Sequence, residues 1–366
     1  MSSPPTFTHV GLIGTGAMGQ GIAQLAAQAG AQVLLLDARE GAAQQAVEKI
    51  QAMWATLAGK GKISQEQAQT YGSRLKAVAA MAEFAPCDLV VEAIVERLDV
   101  KHSLFKELEP VLAASAVIVS NTSSLSITAL ATALSQRERF AGYHFFNPAP
   151  LMKVVEVVKG LATSAATCER LMQFTREFGH TPVLTQDTPG FLVNHLGRGY
   201  SSEALRIVQE NVADFATVDR ILRDQVGFKL GPFELMDLTG MDVTHAVTES
   251  IYQQYYEEPR YRPNAIAAQR VAGGVLGRKT GVGYYRYVDG KPEVAPEAPV
   301  PMVDNLPPVW VSARAARRTE IYQLLKTLGA QIETGQAPSD KALILVAPLG
   351  LDVTTVAAVE RLDATR

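Results

Sequence analysis

Residues 8–37 read THVGLIGTGAMGQGIAQLAAQAGAQVLLLD, and this stretch decides the fold. The apolar run His9–Ile13 has the length and composition of a short buried strand, and a second run, Gln32–Leu36, ends at Asp37. Between them, Met18–Ala29 has the periodicity of a helix. A strand, a helix and a second strand joined so closely predict a βαβ unit with both strands parallel in one sheet.

The glycines of this unit predict a Rossmann-type dinucleotide site. Gly14, Gly16 and Gly19 have the spacing G-x-G-x-x-G, with Ala17 and Met18 between the last two, where the strand passes into the helix. Glycine there permits a tight turn and lets backbone amides at the helix N-terminus approach a pyrophosphate. The alternative is that the same glycines mark only a turn in an α/β protein.

Asp37 indicates which dinucleotide is bound. It follows the second strand about 20 residues past the glycines, where a carboxylate can accept hydrogen bonds from the adenosine ribose and repels a 2′-phosphate. The sequence therefore predicts NAD rather than NADP, although Arg39 complicates the choice. The alternative is that Asp37 only caps the following helix.

Length and composition limit the class of protein. The 366 residues suggest two domains with a smaller appendage, and the net charge of -3, without a long run of one sign, favours neither nucleic acid nor a membrane as partner. No apolar stretch approaches a membrane span, and the N-terminus lacks a signal-peptide pattern. Cys87 and Cys168 form neither a disulfide framework nor a metal site. We therefore expect a cytoplasmic protein that binds small molecules and no metal.

The rest of the chain predicts an α/β protein in several parts. Strands alternate with helices over residues 1–187, which implies a parallel sheet covered by helices. From Pro189 the pattern becomes helical, and residues 188–287 are predicted to form an all-helical domain. Residues 288–308 are predicted to be an extended linker, and residues 309–366 a small α/β segment without a glycine fingerprint. The prolines of the linker are Pro292, Pro296, Pro299, Pro301, Pro307 and Pro308.

Further motifs follow the glycine loop in a fixed order. They are EAIVE (92–96), SNTSS (120–124), HFFNP (144–148), VVEVV (154–158) and PGFLVN (189–194). Taken together, they resemble the NAD-dependent L-3-hydroxyacyl-CoA dehydrogenases over roughly residues 6–287. The resemblance implies oxidation of an (S)-3-hydroxyacyl-CoA to the 3-ketoacyl-CoA, with hydride transfer to NAD.

The resemblance implies that His144 is the base and Glu156 its partner. Oxidation of a secondary alcohol needs a base for the hydroxyl proton while the hydride leaves. Histidine titrates near neutral pH, and a neighbouring carboxylate fixes its tautomer and stabilises the imidazolium. The alternatives are a core histidine at position 144 and an edge-strand charge at position 156.

Polar residues near these two correspond to further family positions. Ser123, Asn147 and Asn194 match groups that hydrogen-bond the substrate oxygens and help to hold the base. For Ser123 and Asn147 turn and cap chemistry is the alternative, and Asn194 could also cap the helix that it opens. His195 stands where the family commonly has arginine, and we interpret it as a helix-surface variation without catalytic meaning.

Charged residues are implied to contact the cofactor and CoA. Glu96, Lys101 and Lys279 match family positions that contact NAD, with surface ion pairing as the alternative. Lys60 falls near a position that meets the CoA phosphates and is the candidate for CoA binding. The serine that the family has shortly before it is Met53 in this chain, so this chain departs from the family pattern at that position.

Two other functions compete with this interpretation. One is a dehydrogenase of a free hydroxy acid or sugar acid on the same two-domain plan. The other is a non-catalytic NAD-binding or structural protein, against which the intact His144 and Glu156 argue. The sequence does not separate a hydroxybutyryl chain from the hydroxyadipyl chain of phenylacetate catabolism, because no arginine can be assigned to a distal carboxylate.

The resemblance carries two expectations about assembly and length. Family members form homodimers through the helical domain, which this sequence permits. Longer bacterial relatives in aromatic-acid catabolism continue through a proline-rich linker into a degenerate repeat. We expect that the natural chain extends past Arg366 or that the repeat has been lost.

Overall fold

One large sheet organises the first part of the molecule. The computed structural model describes residues 5–294, 306–363 and 365, which fall into two units divided between residues 294 and 295. The strands of the large sheet are β1 (His9–Ile13), β2 (Gln32–Leu36), β3 (Leu75–Ala77), β4 (Leu89–Glu92), β5 (Val117–Ser120), β6 (Phe140–Phe145), β7 (Val154–Lys159) and β8 (Thr181–Gln186).

The strands lie in the order β3-β2-β1-β4-β5-β6-β7-β8. All neighbouring pairs are parallel except β6 and β7, which are antiparallel. The predicted Rossmann-type sheet is therefore confirmed, with one antiparallel pair that the sequence pattern did not reveal. The strand order has its switch point between β1 and β4, because β2 and β3 lie on one side of β1 and β4 and the later strands lie on the other. Ligands bind at such switch points in folds of this type.

Helices cover both faces of the sheet. They are α1 (Ala17–Ala29), α2 (Ala42–Gly59), α3 (Gln65–Ser73), α4 (Leu98–Leu108), α5 (Ile127–Ala131) and α6 (Ala165–Glu177). Alternate residues of one strand enter different cores: Leu89 and Val91 pack with α1, α2 and α6, whereas Val90 packs with α4 and α5. Burial on both faces explains why these strands are continuous apolar runs rather than alternating ones.

A helical region with its own core follows β8. Its helices are α7 (Val193–Gln209), α8 (Phe215–Arg220), α9 (Pro232–Thr239), α10 (Met241–Gln254) and α11 (Ala265–Ala272). A π-helical turn, Ile221–Gln225, directly follows α8. The predicted boundary between residues 187 and 188 falls in the loop between β8 and α7.

Buried Asp237 of α9 anchors the glycine-rich end of this region. Its carboxylate accepts hydrogen bonds from the amides of Tyr284 and Tyr285, at 2.9 and 3.0 Å. A Cβ at Gly277 would lie 2.3 Å from the carbonyl oxygen of Asp237, and one at Gly283 would lie 2.0 Å from its carboxylate. The glycines are there because backbone packs directly on this aspartate.

The chain after residue 285 differs in part from the predicted linker. Strands β9 (Arg286–Val288) and β10 (Lys291–Glu293) form an antiparallel hairpin. The linker predicted at 288–308 therefore does not start at residue 288, and Pro292 is tolerated because a two-stranded hairpin has only edge strands. Pro296, Pro299 and Pro301 lie outside the described residues.

The second unit is a small α/β segment, as predicted. It contains β11 (Val309–Val311), α12 (Arg318–Thr327), β12 (Ile332–Glu333), β13 (Leu343–Leu345) and α13 (Val353–Glu360). Its three strands are parallel and lie in the order β12-β11-β13.

Both cysteines lie in the hydrophobic core beside the large sheet. Cys87 and Cys168 are free and buried, and burial raises the pKa of the Cys87 thiol to about 12. Within the described residues we find no group of three or more His, Cys, Asp or Glu that could hold a metal ion. In the same part of the chain no helix has both the length and the apolarity to cross a membrane.

Candidate active site

The glycine loop joins β1 to α1, and its three glycines are there for different reasons. Gly14 has a φ of 96°, and a Cβ on it would lie 2.5 Å from the carbonyl oxygen of Ala93. A Cβ on Gly19 would lie 1.9 Å from the carbonyl oxygen of Gly14. A Cβ on Gly16 would have nothing within 4 Å. Gly14 and Gly19 therefore serve the turn, whereas Gly16 leaves open space.

The open space at Gly16 lies at the N-terminus of α1. Gly16 is the N-cap residue, Ala17 and Met18 begin the helix, and no side chain caps it. Backbone amides at an uncapped helix N-terminus can bind a phosphate. The loop thus fits the pyrophosphate of a dinucleotide. A turn with only a structural role would not require open space at uncapped amides.

Asp37, which follows β2, fixes the glycine loop through hydrogen bonds. Its Oδ2 accepts hydrogen bonds from the amide and hydroxyl of Thr15, at 2.8 and 2.7 Å, and its Oδ1 accepts from the amide and Nε of Arg39, at 3.0 and 3.3 Å. Burial alone would raise the pKa of Asp37, but these hydrogen bonds hold it below its ordinary value of 3.8. Asp37 does not cap α2, whose N-cap residue is Gly41. The alternative of a helix cap is therefore wrong.

His144 and Glu156 face each other across the antiparallel pair of strands. They are directly opposite in the register of β6 and β7, and Nδ1 of His144 lies 2.5 Å from Oε2 of Glu156. The other carboxylate oxygen accepts hydrogen bonds from the amides of Leu192 and Val193, at 2.9 and 2.8 Å. Glu156 is completely buried between β6 and β8, so it is not an edge-strand charge.

This arrangement determines which nitrogen of His144 can act as a base. A carboxylate at Nδ1 favours the tautomer with the proton on Nδ1, which leaves a lone pair on Nε2. The ring packs between Phe146 and Phe191, with centroid distances of 4.5 and 5.6 Å. No hydrogen bond to Nε2 is recorded in the described part of the chain, so this nitrogen is available for a substrate proton.

A second buried carboxylate, Glu92, lies at the end of β4. Its Oε1 accepts hydrogen bonds from Nζ of Lys101 at 2.6 Å and from the amide of Ile94 at 2.7 Å, and its Oε2 accepts from the hydroxyl of Ser120 at 2.6 Å. Nζ of Lys101 also lies 3.3 Å from Glu96. Only 1% of the Lys101 side chain is exposed in this structure, and its contact with NAD stays a prediction.

Glu96 ties the loop after β5 to this network. Its Oε1 accepts hydrogen bonds from the hydroxyl of Thr122, the amide of Ser123, and the amide and hydroxyl of Ser124, at 2.6 to 3.1 Å. Burial would raise the pKa of Glu96, but these donors and Lys101 lower it overall. The side chain remains 36% exposed, so Glu96 can still face a ligand.

The predicted polar residues Ser123, Asn147 and Asn194 follow β5, follow β6 and open α7, respectively. Asn147 follows β6 and is exposed, and Asn194 is the second residue of α7 and half-buried. Asn194 does not cap α7, because the N-cap residue is Leu192 and Glu156 binds the first amides. For the side chains of Ser123, Asn147 and Asn194 no hydrogen bond is recorded within the described residues.

Other predicted residues lie away from the histidine. Lys60 is the exposed C-cap residue of α2, and Met53 packs against the core under that helix. Lys279 pairs with Asp242 at the start of α10. Neither lysine contacts His144 in the described structure, so their roles toward CoA and NAD stay predictions.

His195 is not on the helix surface, which corrects the sequence interpretation. Its Nδ1 lies 2.8 Å from the hydroxyl of Tyr255 and its Nε2 lies 3.1 Å from the hydroxyl of Tyr261. The side chain ties α7 to the segment that follows α10. The tyrosines are 60 and 66 residues away in sequence, so helical periodicity could not reveal the contact.

The site residues gather at one edge of the sheet. The glycine loop, Glu96 and Ser123 follow the carboxyl ends of β1, β4 and β5, and the antiparallel β7 brings Glu156 to the same edge as His144. Sequence reasoning missed Glu92 and Asn121, whose side-chain oxygen accepts the amide of Phe145 at 3.0 Å. The available signal was an acidic residue ending the buried run Leu89–Glu92.

Two family models and several known proteins match this chain. Residues 9–188 match the 3-hydroxyacyl-CoA dehydrogenase NAD binding domain, and residues 190–287 match the 3-hydroxyacyl-CoA dehydrogenase C-terminal domain. The 3-hydroxyadipyl-CoA dehydrogenase of Escherichia coli (strain K12) is 41% identical over 353 residues, covering 95% of this chain and 74% of that protein.

Two further relatives agree with these matches. The mitochondrial hydroxyacyl-coenzyme A dehydrogenase of Sus scrofa is 40% identical over 285 residues, covering 76% of this chain and 91% of that protein. The crystal structure of 3-hydroxybutyryl-CoA dehydrogenase from Escherichia coli K12 superposes with a TM-score of 0.77 at 39% identity, covering 89% of this chain and 71% of that one.

Proposed function

The chain belongs to the NAD-dependent 3-hydroxyacyl-CoA dehydrogenase family, and from this membership we propose how its residues share the reaction. The reaction is the oxidation of a 3-hydroxyacyl-CoA with NAD as cofactor. We propose that His144 is the base and that Glu156 positions it. The observation that carries this proposal is the 2.5 Å contact between Nδ1 and the carboxylate, which leaves Nε2 free.

The proton and the hydride of the substrate go to different acceptors. Nε2 of His144 takes the proton of the C3 hydroxyl. NAD, when bound, would supply the acceptor for the hydride from C3. The developing imidazolium lies against the buried carboxylate of Glu156, which stabilises the positive charge. Two amides of α7 hold that carboxylate in place, so the histidine keeps one orientation.

Three side chains around the histidine bind the substrate oxygens in this proposal. Ser123, Asn147 and Asn194 have hydroxyl or amide groups without recorded partners in the described residues, as a binding group requires. Asn194 directly follows Val193, whose amide binds Glu156. A substrate oxygen at Asn194 would therefore lie beside the base that removes its proton.

The cofactor is held by the edge of the sheet around β1 and β2. The amides at Gly16, Ala17 and Met18 bind the pyrophosphate, and Gly14 and Gly19 shape the turn. Asp37 would accept hydrogen bonds from the ribose hydroxyls, and Glu96, in the loop after β4, would contact the cofactor. Lys279 completes the cofactor site, and Lys60 binds CoA.

The acyl chain and the pathway are narrower questions. One relative is named for 3-hydroxyadipyl-CoA and a structural neighbour for 3-hydroxybutyryl-CoA. We propose that the chain acts in fatty-acid or phenylacetate catabolism. We also propose a cytoplasmic homodimer, supported by exposed apolar residues of α7 such as Leu196 and Ile207, and mass measurement in solution tests it.

NADH oxidation in the presence of acetoacetyl-CoA tests the proposed base. We expect His144→Ala to lower kcat by about 10² to 10⁴, the usual contribution of a general base. His9→Ala is the matched control, since His9 is the first residue of β1 and the glycine loop follows the other end of that strand. A His144→Ala variant as fast as the parent would refute the role of His144.

The competing functions predict different results in the same assay. A dehydrogenase of a free hydroxy acid would turn over the acid and gain nothing from the CoA thioester. A non-catalytic protein would bind NADH tightly and turn over no acyl-CoA.

A further inference from the structure

The helical region contains a cavity of about 240 Å³ that starts beside Asn194. It lies between α7, α9 and α10. Most of its wall is apolar, from Val193, Leu235, Met236, Val243 and Val247. A cavity of this size and lining suits a short acyl chain.

Arg198 is the charged residue in this wall. Its Nε donates to the carbonyl oxygen of Asn194 at 3.2 Å, and its Nη1 donates to the hydroxyl of Thr248 at 2.8 Å and to the carbonyl oxygen of Thr244 at 3.4 Å. All of these acceptors are neutral. In the described residues no carboxylate lies within ion-pair distance of the guanidinium, and no hydrogen bond of Nη2 is recorded.

Arg198 is partly buried, and burial without a counter-ion is unfavourable for a guanidinium. Burial lowers the pKa of Arg198, and no neighbouring carboxylate raises it again. Arginine nevertheless remains charged in proteins, and a buried charge without a partner costs free energy. A ligand with an anionic group at this point would offset that cost.

The spacing along α7 matches a particular acyl chain. Asn194 and Arg198 are one turn apart on the same face, about 6 Å along the axis. In a 3-hydroxyadipyl chain the distal carboxyl carbon lies three bonds of about 1.5 Å each beyond the carbon that bears the hydroxyl. With that hydroxyl at Asn194, as the proposed function requires, the carboxylate reaches Arg198.

We propose that Arg198 binds the distal carboxylate of a 3-hydroxydicarboxylyl-CoA and so determines the acyl specificity of this enzyme. The inference rests on the proposed function. The planar guanidinium forms paired, charge-assisted hydrogen bonds with a carboxylate. A monocarboxylic acyl chain of the same length places a methyl group there and leaves the charge unpaired.

The test compares 3-hydroxyadipyl-CoA with 3-hydroxyhexanoyl-CoA, which has the same carbon chain but a terminal methyl group. We expect the parent to prefer the adipyl thioester in kcat/KM by about 100-fold or more, since a site built for a polar group rejects an analogue that lacks it. In Arg198→Met this preference disappears through loss of adipyl turnover, while hexanoyl turnover is kept or improved. Arg198→Lys keeps part of the preference.

Arg206→Met is the matched control. Arg206 lies on the same helix, is exposed, and pairs with Glu203, so its loss leaves the preference unchanged. If Arg198 had only a structural role, Arg198→Met would lower kcat/KM for both thioesters equally, and that result would overturn the proposal. A parent enzyme without preference for the adipyl thioester overturns it even if the variant fails to fold. If the parent turns over no acyl-CoA, including acetoacetyl-CoA, the proposed function itself fails.

Discussion

The two halves of the active-site region differ in how the charges of their side chains are compensated. At the edge of the sheet, Lys101 lies between Glu92 and Glu96, and Glu156 binds His144 and two backbone amides. In the helical region, Arg198 lines a cavity and meets only neutral oxygens among the described residues.

The difference separates charges that hold the protein together from a charge suited to a ligand. A buried ion pair with additional hydrogen bonds repays its desolvation within the folded chain, and it keeps its members in one geometry. For an unpaired guanidinium, part of the desolvation free energy is offset only when an anion binds. The sheet edge is therefore preorganised for chemistry, whereas the cavity is suited to select a substrate.

The largest effect is expected from Glu156→Gln. The amide is nearly isosteric but cannot compensate the imidazolium, so we expect kcat to fall by about 10³ to 10⁴. Steady-state NADH assays measure this change. Glu107→Gln on the exposed side of α4 is the control. Turnover within about threefold of the parent, less than 1 kcal/mol in the barrier, would show that His144 does not depend on the carboxylate.

Lys101→Met tests the comparison through stability. Removing the cation leaves Glu92 buried and unpaired, so the free energy of unfolding should fall by about 3 to 5 kcal/mol. Urea denaturation measures this, and adding Glu92→Gln should restore much of the loss. Arg198→Met is the matched contrast, for which we expect a change of less than about 1 kcal/mol because no ion pair is broken. Equal losses in both variants would remove the distinction drawn between the two regions.

The smallest effect is expected from Asp37→Asn. We expect the KM for NAD to rise by about tenfold and NADP to become a better substrate, since one charge-assisted hydrogen bond is worth about 1.5 to 3 kcal/mol. The folded pKa of Asp37 is below 3.8, so its contribution to stability is present above pH 3.8 and is lost as the pH falls through the lower folded value. The stability difference from the parent should therefore stay constant between about pH 5 and 8. A difference that changes within this range would contradict the lowered pKa.

Much of the fold could be predicted from local patterns. The strands at His9–Ile13 and Gln32–Leu36 were predicted with the observed bounds, because short apolar runs bounded by glycine and aspartate carry their own signal. The short β3 was missed because three residues give no periodicity. The antiparallel direction of β7 was missed because strand direction depends on the connection and not on the residues of the strand.

Within the site, residue types were predictable, but apart from the pair of His144 and Glu156 their partners were not. The pairing of His144 with Glu156 was proposed from motifs and is found in the structure. Lys101 was predicted to contact the cofactor, with a surface ion pair as the alternative, and the structure shows it buried in an ion pair with Glu92. His195 was expected at the surface, but it lies between two tyrosines. The sequence does not show whether a charged or polar side chain faces water or a partner within the protein.

The sequence by itself determined the parallel sheet, the glycine loop with its preference for NAD, and the family to which the chain belongs, since these depend on local periodicity and on motifs of a few residues. Only the tertiary structure decided which charges are compensated. Val193 lies 37 residues from Glu156, and Thr248 lies 50 residues from Arg198. Such contacts form through packing of separate elements, and burial makes an unpaired charge significant only after the chain has folded.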